Sequence, residues 1–310
     1  MRTRFFTIVV VISALVLGAC SDDEVTAPPG DDLPEAPPQY VSEWGSQGNG
    51  QGEFNDPWDV AVDKHGDVFV VDRTNHRIQK FNGDGNFLVA WSAWGVGPQY
   101  EFNYPEGIAV DTTDTVFVAD RGNNRIVVFD PGHDFVREWI APDPAAIALD
   151  HERYVYVAID DYYVSKYDAN GTYIGTIGGK TISKQPGQFN VIGGVAAGST
   201  VFYVTDMLDG RVQQFGTNGS YLMQWGTYGQ GDGQFVGATG IALDPDGNVY
   251  VVDHTEGRVQ KFDEAGVFLT KWGSQGQGNG QFQNPWGIAI GEDGTVYVAD
   301  AGNDRVQVFK

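Results

Sequence analysis

One stretch of sequence is written six times along this chain, and that repetition restricts the possible folds more than any other feature. The last copy begins Asn284-Pro285-Trp286-Gly287-Ile288-Ala289-Ile290 and turns through Asp293-Gly294. It continues as Val296-Tyr297-Val298-Ala299-Asp300 and closes on Arg305-Val306-Gln307-Val308-Phe309. Each run is rich in β-branched and aromatic residues, and each gap carries Gly, Asn or Asp, which tolerate the positive φ of tight hairpins. The pattern predicts a meander of three antiparallel strands. Its second strand closes on Asp72, Asp120, Asp160, Asp206, Asp253 and Asp300, at intervals of 40 to 48 residues.

A fourth strand has its own signature, an aromatic followed four residues later by Trp: Phe87 and Trp91, Phe135 and Trp139, Tyr221 and Trp225, Phe268 and Trp272, with Tyr173 and Ile177 as a weaker copy. The sixth pair, Tyr40 and Trp44, lies ahead of every other strand, whereas the chain stops at Phe309-Lys310, the close of a third strand. The expected fold is therefore all-β: a six-bladed β-propeller of four-stranded antiparallel blades, its ring closed by the N-terminal strand (residues 40–44) completing the last blade. The chain's 310 residues, 41% hydrophobic and 13% aromatic, are enough to fill the core of such a ring.

The front of the chain has a different character. Arg2 and Arg4 precede an apolar run from Phe5 to Leu17, the pattern of an export signal and too short to span a bilayer. Leu17-Gly18-Ala19-Cys20 resembles the lipobox of bacterial lipoproteins, in which the cysteine becomes the lipidated first residue; Cys20 is also the only cysteine of the chain. Residues 1–19 are thus expected to be a lipoprotein signal peptide. Residues 20–39, with Asp22-Asp23-Glu24 and Pro34-Glu35-Ala36-Pro37-Pro38, read as a lipidated Cys and an unpacked acidic, Pro-rich tether. The propeller would occupy 40–310. The expected location is outside the cytoplasm, lipid-anchored to a bacterial membrane, the outer one if the cell has two, because Ser21 after the cysteine resembles the signal for it.

Lys and Arg number 19 against 41 Asp and Glu, a formal net charge of -22. Such a surface repels phosphate backbones and anionic head groups, so nucleic acid is not an expected partner.

Pro105 to Asp111 (Pro-x-Gly-Ile-Ala-Val-Asp), Val296 to Asp300, and Asn303 to Phe309 (Asn-x-Arg-Val-Gln-x-Phe), with Gly280-Gln281-Phe282 in the connecting loop, resemble the NHL repeat. The resemblance extends from residue 40 onward and implies the same six-bladed ring. Its third copy departs: Tyr163 stands where Arg77, Arg125, Arg211, Arg258 and Arg305 stand elsewhere, and Asp160 lies nearer its aromatic, Tyr167. A shortened turn is expected there. Some NHL-like propellers are lyases, and the peptide-amidating lyase resembles this fold with metal-binding histidines around the channel. Others, in eukaryotic regulators, bind RNA through a basic face, and the family's link to ubiquitin ligases comes from other domains.

Several candidates for chemistry read as architecture. The pairs Asp72 and Arg77, Asp120 and Arg125, Asp206 and Arg211, Asp253 and Arg258, Asp300 and Arg305 recur at one blade position, whereas a catalytic residue need occur only once; a carboxylate capping a turn and pairing with the next strand accounts for them. Asp244-Pro245-Asp246-Gly247-Asn248 and Asn82-Gly83-Asp84-Gly85-Asn86 begin like calcium loops but lack the glutamate continuation, so they read as turns. His65, His76, His133, His151 and His254 form no pair at metal-ligand spacing, and no Gly-x-Ser-x-Gly occurs. No metal and no cofactor is expected.

The mouth of the innermost strands is where the blades differ. Most place Pro, Ala or Gly there, but blade 6 offers Trp286, blade 1 Trp58 with Asp59, and blade 2 Glu106. Ring closure makes these blades neighbours, so two indoles and two carboxylates should cluster at one end of the channel, with the loops carrying Arg73, His76 and Arg121 on the same face and the two arginines forming a small basic spot. Exposed aromatics with convergent polar groups mark recognition sites. The expected function is a non-enzymatic binding or scaffold module at the cell envelope, with an envelope protein, glycan or small ligand as partner and the membrane engaged only through the lipid. The alternative is a propeller lyase or hydrolase with its site in the channel.

Overall fold

The computed structural model describes residues 35–92, 101–179 and 185–310. The expected signal peptide, Cys20 and most of the expected tether lie outside the described residues. Six sheets of four antiparallel strands are arranged around a central channel. The innermost strands run Pro57–Val62, Pro105–Val110, Pro144–Leu149, Ile192–Ala197, Ala238–Leu243 and Pro285–Ile290. Each touches the next around the ring, and Pro285–Ile290 meets Pro57–Val62. Tyr40–Trp44 is hydrogen-bonded along Arg305–Phe309, with Tyr40 opposite Phe309 and Trp44 opposite Val306, so the last blade is completed by the first strand of the propeller. The ring is closed as its sequence implied.

The core lies in the seams between blades. Every residue of the second strands Val68–Asp72, Val116–Asp120, Val155–Ile159, Val249–Asp253 and Val296–Asp300 is buried, because both faces of each blade are covered by its neighbours. This explains why those strands are continuously apolar instead of alternating. A fully buried phenylalanine from four of the connecting loops, Phe54, Phe189, Phe235 or Phe282, plugs a seam. Burying one such ring contributes roughly 1.5–3 kcal/mol.

The repeated polar residues pin those loops. Asp72 Oδ1 accepts the Asn55 N–H at 2.8 Å and its Oδ2 accepts Arg77 Nε at 2.6 Å. The Arg77 guanidinium then donates to the carbonyls of Asn49, Gly50 and Glu53. Arg305 pairs with Asp300 at 2.8 Å and reaches Glu43 of the N-terminal strand at 2.7 Å, which ties the ring closed. Asp120 with Arg125, Asp206 with Arg211, and Asp253 with Arg258 form the same ion pair. The calcium-like loops are hairpin turns: Asp244 Oδ1 accepts the N–H groups of Asp246 and Asn248.

Two expectations need correction. In blade 3 the position of the repeated aspartate is held by Ile159, not Asp160: Pro144 faces Ile159 as Pro57 faces Asp72, and Ile159 in turn faces Tyr163. The turn is one residue shorter than its sisters, and Asp160 and Asp161 bridge it with φ of 50° and 60°, a left-handed conformation that Asp tolerates better than most. The other correction is at the tether. Its last residues, 35–39, are seated on the propeller: the Glu35 N–H donates to Leu269 O, Glu35 pairs with Lys261, and Gln39 exchanges both backbone hydrogen bonds with Lys310. A lysine at the rim of blade 5 and the free end of the last strand offered partners that composition could not reveal.

Candidate functional site

Two positions in the innermost strand of each blade, and a third just after the second strand, build the channel mouth. Each innermost strand slips register where it begins: Pro57 faces Asp72 but Val60 faces Val70, and Pro285 faces Asp300 but Ile288 faces Val298. The extra residue is a β-bulge, a device that re-aims side chains. It releases Trp58 and Asp59 in blade 1, Glu106 in blade 2, Ala145 and Ala146 in blade 3, Gly193 in blade 4, Thr239 and Gly240 in blade 5, and Trp286 and Gly287 in blade 6. The bulge is usually closed by a small residue because the next blade passes close. A Cβ on Gly240 would lie 2.2 Å from the Trp286 carbonyl oxygen. The third position follows the second strand and carries Arg73, Arg121, Met207 and His254; in blade 3 the tighter turn presents Asp161.

One half of the mouth is bulky and charged and the other is small, so a cavity of about 270 Å³ opens over blades 3 to 5, walled by Trp58, Asp59, Glu106 and Trp286. The two indoles stack with centroids 4.0 Å apart and planes at 28°. Arg73 lies over the other side of Trp58, 4.1 Å from its ring, so Trp58 is held between an indole and a guanidinium.

A ladder of ion pairs runs along the rim. Arg73 binds Asp56 at 2.9 Å and Glu106 at 2.8 Å; Arg121 binds Glu106 at 2.7 Å, Asp143 at 2.7 Å and Asp161 at 3.4 Å. Burial works against the Arg121 cation, but Asp143, Glu106 and Asp161 outweigh it and hold its pKa above the ordinary value. Four carboxylates thus surround two guanidiniums, and the basic spot expected from Arg73 and Arg121 does not exist.

Asp59 is the exception among the bulge residues. Where other blades keep Gly or Ala it extends a carboxylate across the seam, accepting the Ile108 N–H of blade 2 at 3.1 Å and its own neighbour's, Val60, at 2.9 Å. Burial pushes its carboxyl up to about 7, against the downward pull of those two N–H groups. The mouth therefore holds a carboxyl group able to give or take a proton near neutral pH.

Trp58, Asp59, Glu106, Trp286, Arg73 and Arg121 are brought together at this cavity. His76 is not among its walls. Its Nδ1 accepts the Tyr104 N–H at 2.9 Å and its ring meets Tyr104 edge-on. Sequence reasoning missed Asp56, Asp143 and Asp161, which neutralise the arginines, and Met207 and His254. The His254 ring stands edge-on to Trp286 at 5.4 Å, and burial pushes its pKa below the ordinary value. Aligning the six copies at the residue after the second strand would have exposed Met207 and His254, since Arg73 and Arg121 share that position.

Comparison with known proteins bears on the repeats more than on this cavity. The NHL repeat model matches residues 54–81, 102–129, 235–262 and 282–309, which belong to blades 1, 2, 5 and 6. Among curated relatives, Protein lin-41 of Caenorhabditis elegans is 49% identical over 45 residues, 14% of this chain and 4% of that protein. E3 ubiquitin-protein ligase TRIM71 of Rattus norvegicus is 49% identical over 47 residues, 15% of this chain and 6% of that one. The chain thus matches only a short stretch of these much longer relatives. Among solved structures, a structural genomics protein of unknown function from Bacteroides thetaiotaomicron aligns with TM-score 0.66 at 18% identity, over 86% of this chain and 76% of that one. A streptogramin B lyase aligns with TM-score 0.60 at 14% identity, over 87% and 97%. Likeness at such identity shows the fold alone.

Proposed function

We propose that this propeller, a six-bladed ring carrying NHL repeats, is a binding and scaffold module of a bacterial cell envelope, anchored by lipid on Cys20 and engaging an envelope protein, glycan or small ligand through its channel mouth. The observation that carries the reading is the stacked pair Trp58 and Trp286 at the wall of a cavity, with the Asp59 carboxyl beside them. Indoles offer large, rigid contact area, and a few fixed polar groups beside them supply orientation. The lipobox-like tetrad at Leu17 to Cys20 supports the anchored location, and the acidic surface favours partners other than nucleic acid.

The test is a photo-crosslinking amino acid placed at position 286 in the native cell, followed by mass spectrometry. One reproducibly trapped species, absent when the probe sits on the outer strand of blade 4, is the expected result. Equal yields from both positions would overturn the reading.

A second reading, a lyase or hydrolase, draws on Asp59, a carboxyl of near-neutral pKa facing an enclosed space and so suited to general acid or base work. Turnover of an ester, lactone or amide panel abolished by Asp59→Asn would favour it over the first.

A further inference from the structure

The carboxylates that line the mouth cavity are Asp59, Glu106 and Asp161, and two of the three are paired. Glu106 lies between Arg73 at 2.8 Å and Arg121 at 2.7 Å, and Asp161 reaches Arg121 at 3.4 Å. Asp59 has no cationic partner among the described residues. Its hydrogen bonds come from two backbone N–H groups, that of Val60 to Oδ1 at 2.9 Å and that of Ile108 to Oδ2 at 3.1 Å. A carboxylate oxygen accepts two hydrogen bonds, so each keeps one place unfilled.

The surroundings admit this carboxylate and offer it nothing to pair with. Gly287 of blade 6 makes room for it, since a Cβ there would lie 2.4 Å from Asp59 Oδ1. The innermost strands packed on Pro57–Val62 are Pro105–Val110 and Pro285–Ile290, and their one ionisable side chain is Glu106, which the two arginines already hold. The second strands Val68–Asp72 and Val296–Asp300, also packed there, add the Tyr297 phenol and two aspartates, Asp72 on Arg77 and Asp300 on Arg305. Asp59 is only half-buried, its remaining surface open at the cavity. A charge held away from bulk water is costly unless it is paired. Asp59 escapes that cost by taking a proton or by meeting a cation that arrives from outside the chain.

The rest of the cavity narrows the choice of visitor. The stack leaves Trp58 no free face, with Trp286 on one side at 4.0 Å and Arg73 on the other at 4.1 Å, and His254 stands edge-on to Trp286 at 5.4 Å. A sugar ring that needs an open indole face therefore lacks its platform on Trp58. An anion would meet three carboxylates, and the two arginines beside them are already bound. The remaining walls are mostly small and aliphatic, with Ala145, Ile147, Val195, Met207 and Ile241 among them. Such walls suit an apolar body.

On the reading that the mouth is the binding face, we propose that its ligand is a small organic amine, with its ammonium group on the Asp59 carboxylate and its apolar body against the aliphatic walls of blades 3 to 5. The ammonium donates into the unfilled places on Oδ1 and Oδ2 and supplies the positive charge that the chain withholds there. Because a protonated Asp59 no longer attracts a cation, affinity for an amine falls as pH drops below the carboxyl's value of about 7, whereas affinity for an uncharged ligand does not.

The probes are benzylamine, benzyl alcohol and benzoate, titrated by calorimetry into the full-length protein at pH 8 and pH 5.5. At pH 8 Asp59 is ionised and the amine is still protonated, so benzylamine should bind about tenfold or more tighter than benzyl alcohol, with benzoate the weakest. At pH 5.5 the first two should come within about threefold of each other. Asp59→Asn should abolish the preference at pH 8, whereas Asp232→Asn, which removes a charge from an exposed pair with Lys271, should keep it. Unchanged far-ultraviolet circular dichroism of Asp59→Asn excludes loss of fold as the cause. Benzyl alcohol bound as tightly as benzylamine, or a preference that survives Asp59→Asn, overturns the amine and leaves the mouth a binding site. Absence of saturable binding by all three probes also overturns it, and the crosslinking yield at position 286 then decides separately whether the mouth binds anything.

Discussion

The sharpest expectation concerns Asp59. Burial raises its folded-state pKa to about 7, whereas an unfolded aspartate titrates near 3.8. Between those values the folded chain holds a proton that the unfolded chain has released, so this residue's contribution to stability is complete below about pH 4 and is lost as pH rises toward 7. A difference of about three units corresponds to roughly 4 kcal/mol between the two ends of that window. Asp59→Asn removes the titration while keeping shape and one carbonyl acceptor. Urea unfolding of both proteins, followed by tryptophan fluorescence at pH 4.5, 5.5, 6.5 and 7.5, isolates the effect, because other carboxylates of raised pKa, such as Asp120, Asp206 and Asp253, are common to both. The wild type is expected to lose stability relative to the variant steadily across the series. Parallel pH profiles for the two proteins would show that Asp59 ionises normally and that the mouth is wetter than its geometry implies.

Three further outcomes follow from the packing. Deleting residues 1–44 removes the strand that covers Arg305–Phe309 and leaves an open edge, so the truncated protein should aggregate or unfold cooperatively at lower temperature, as read by light scattering and calorimetry. Phe54→Ala empties a fully buried seam and should cost about 3–5 kcal/mol in chemical denaturation; a cost below about 1 kcal/mol would contradict its role as a plug. Glu106→Gln strips one carboxylate from between two guanidiniums, but Arg73 keeps Asp56 and Arg121 keeps Asp143 and Asp161, so the cost in chemical denaturation should be about 1–3 kcal/mol, with a change in the fluorescence of Trp58 as Arg73 shifts over it.

Much of this molecule was legible in its sequence because its fold rests on local signals repeated six times. Period-two strands, Asx and Gly turns and the displaced Tyr40 to Trp44 strand each act within a few residues of themselves, and repetition multiplied a weak signal into a firm one. The juxtaposition of Trp58, Asp59, Glu106 and Trp286 was legible for the same reason: a closed ring leaves blades 6, 1 and 2 no freedom in their order.

What the chain alone did not reveal depends on distances across seams. That Arg73 and Arg121 cancel against Glu106, Asp56 and Asp143 follows from bulges that swing those side chains toward one another, and a bulge is a property of paired strands. That Ile159 holds the aspartate position of blade 3 emerged only from strand register. The seat of Glu35 on Lys261 joins residues 226 apart. Repeats determine architecture through short-range propensity and burial, whereas the charge state and occupancy of a site are set by which groups meet in space, and that is decided only when the ring closes.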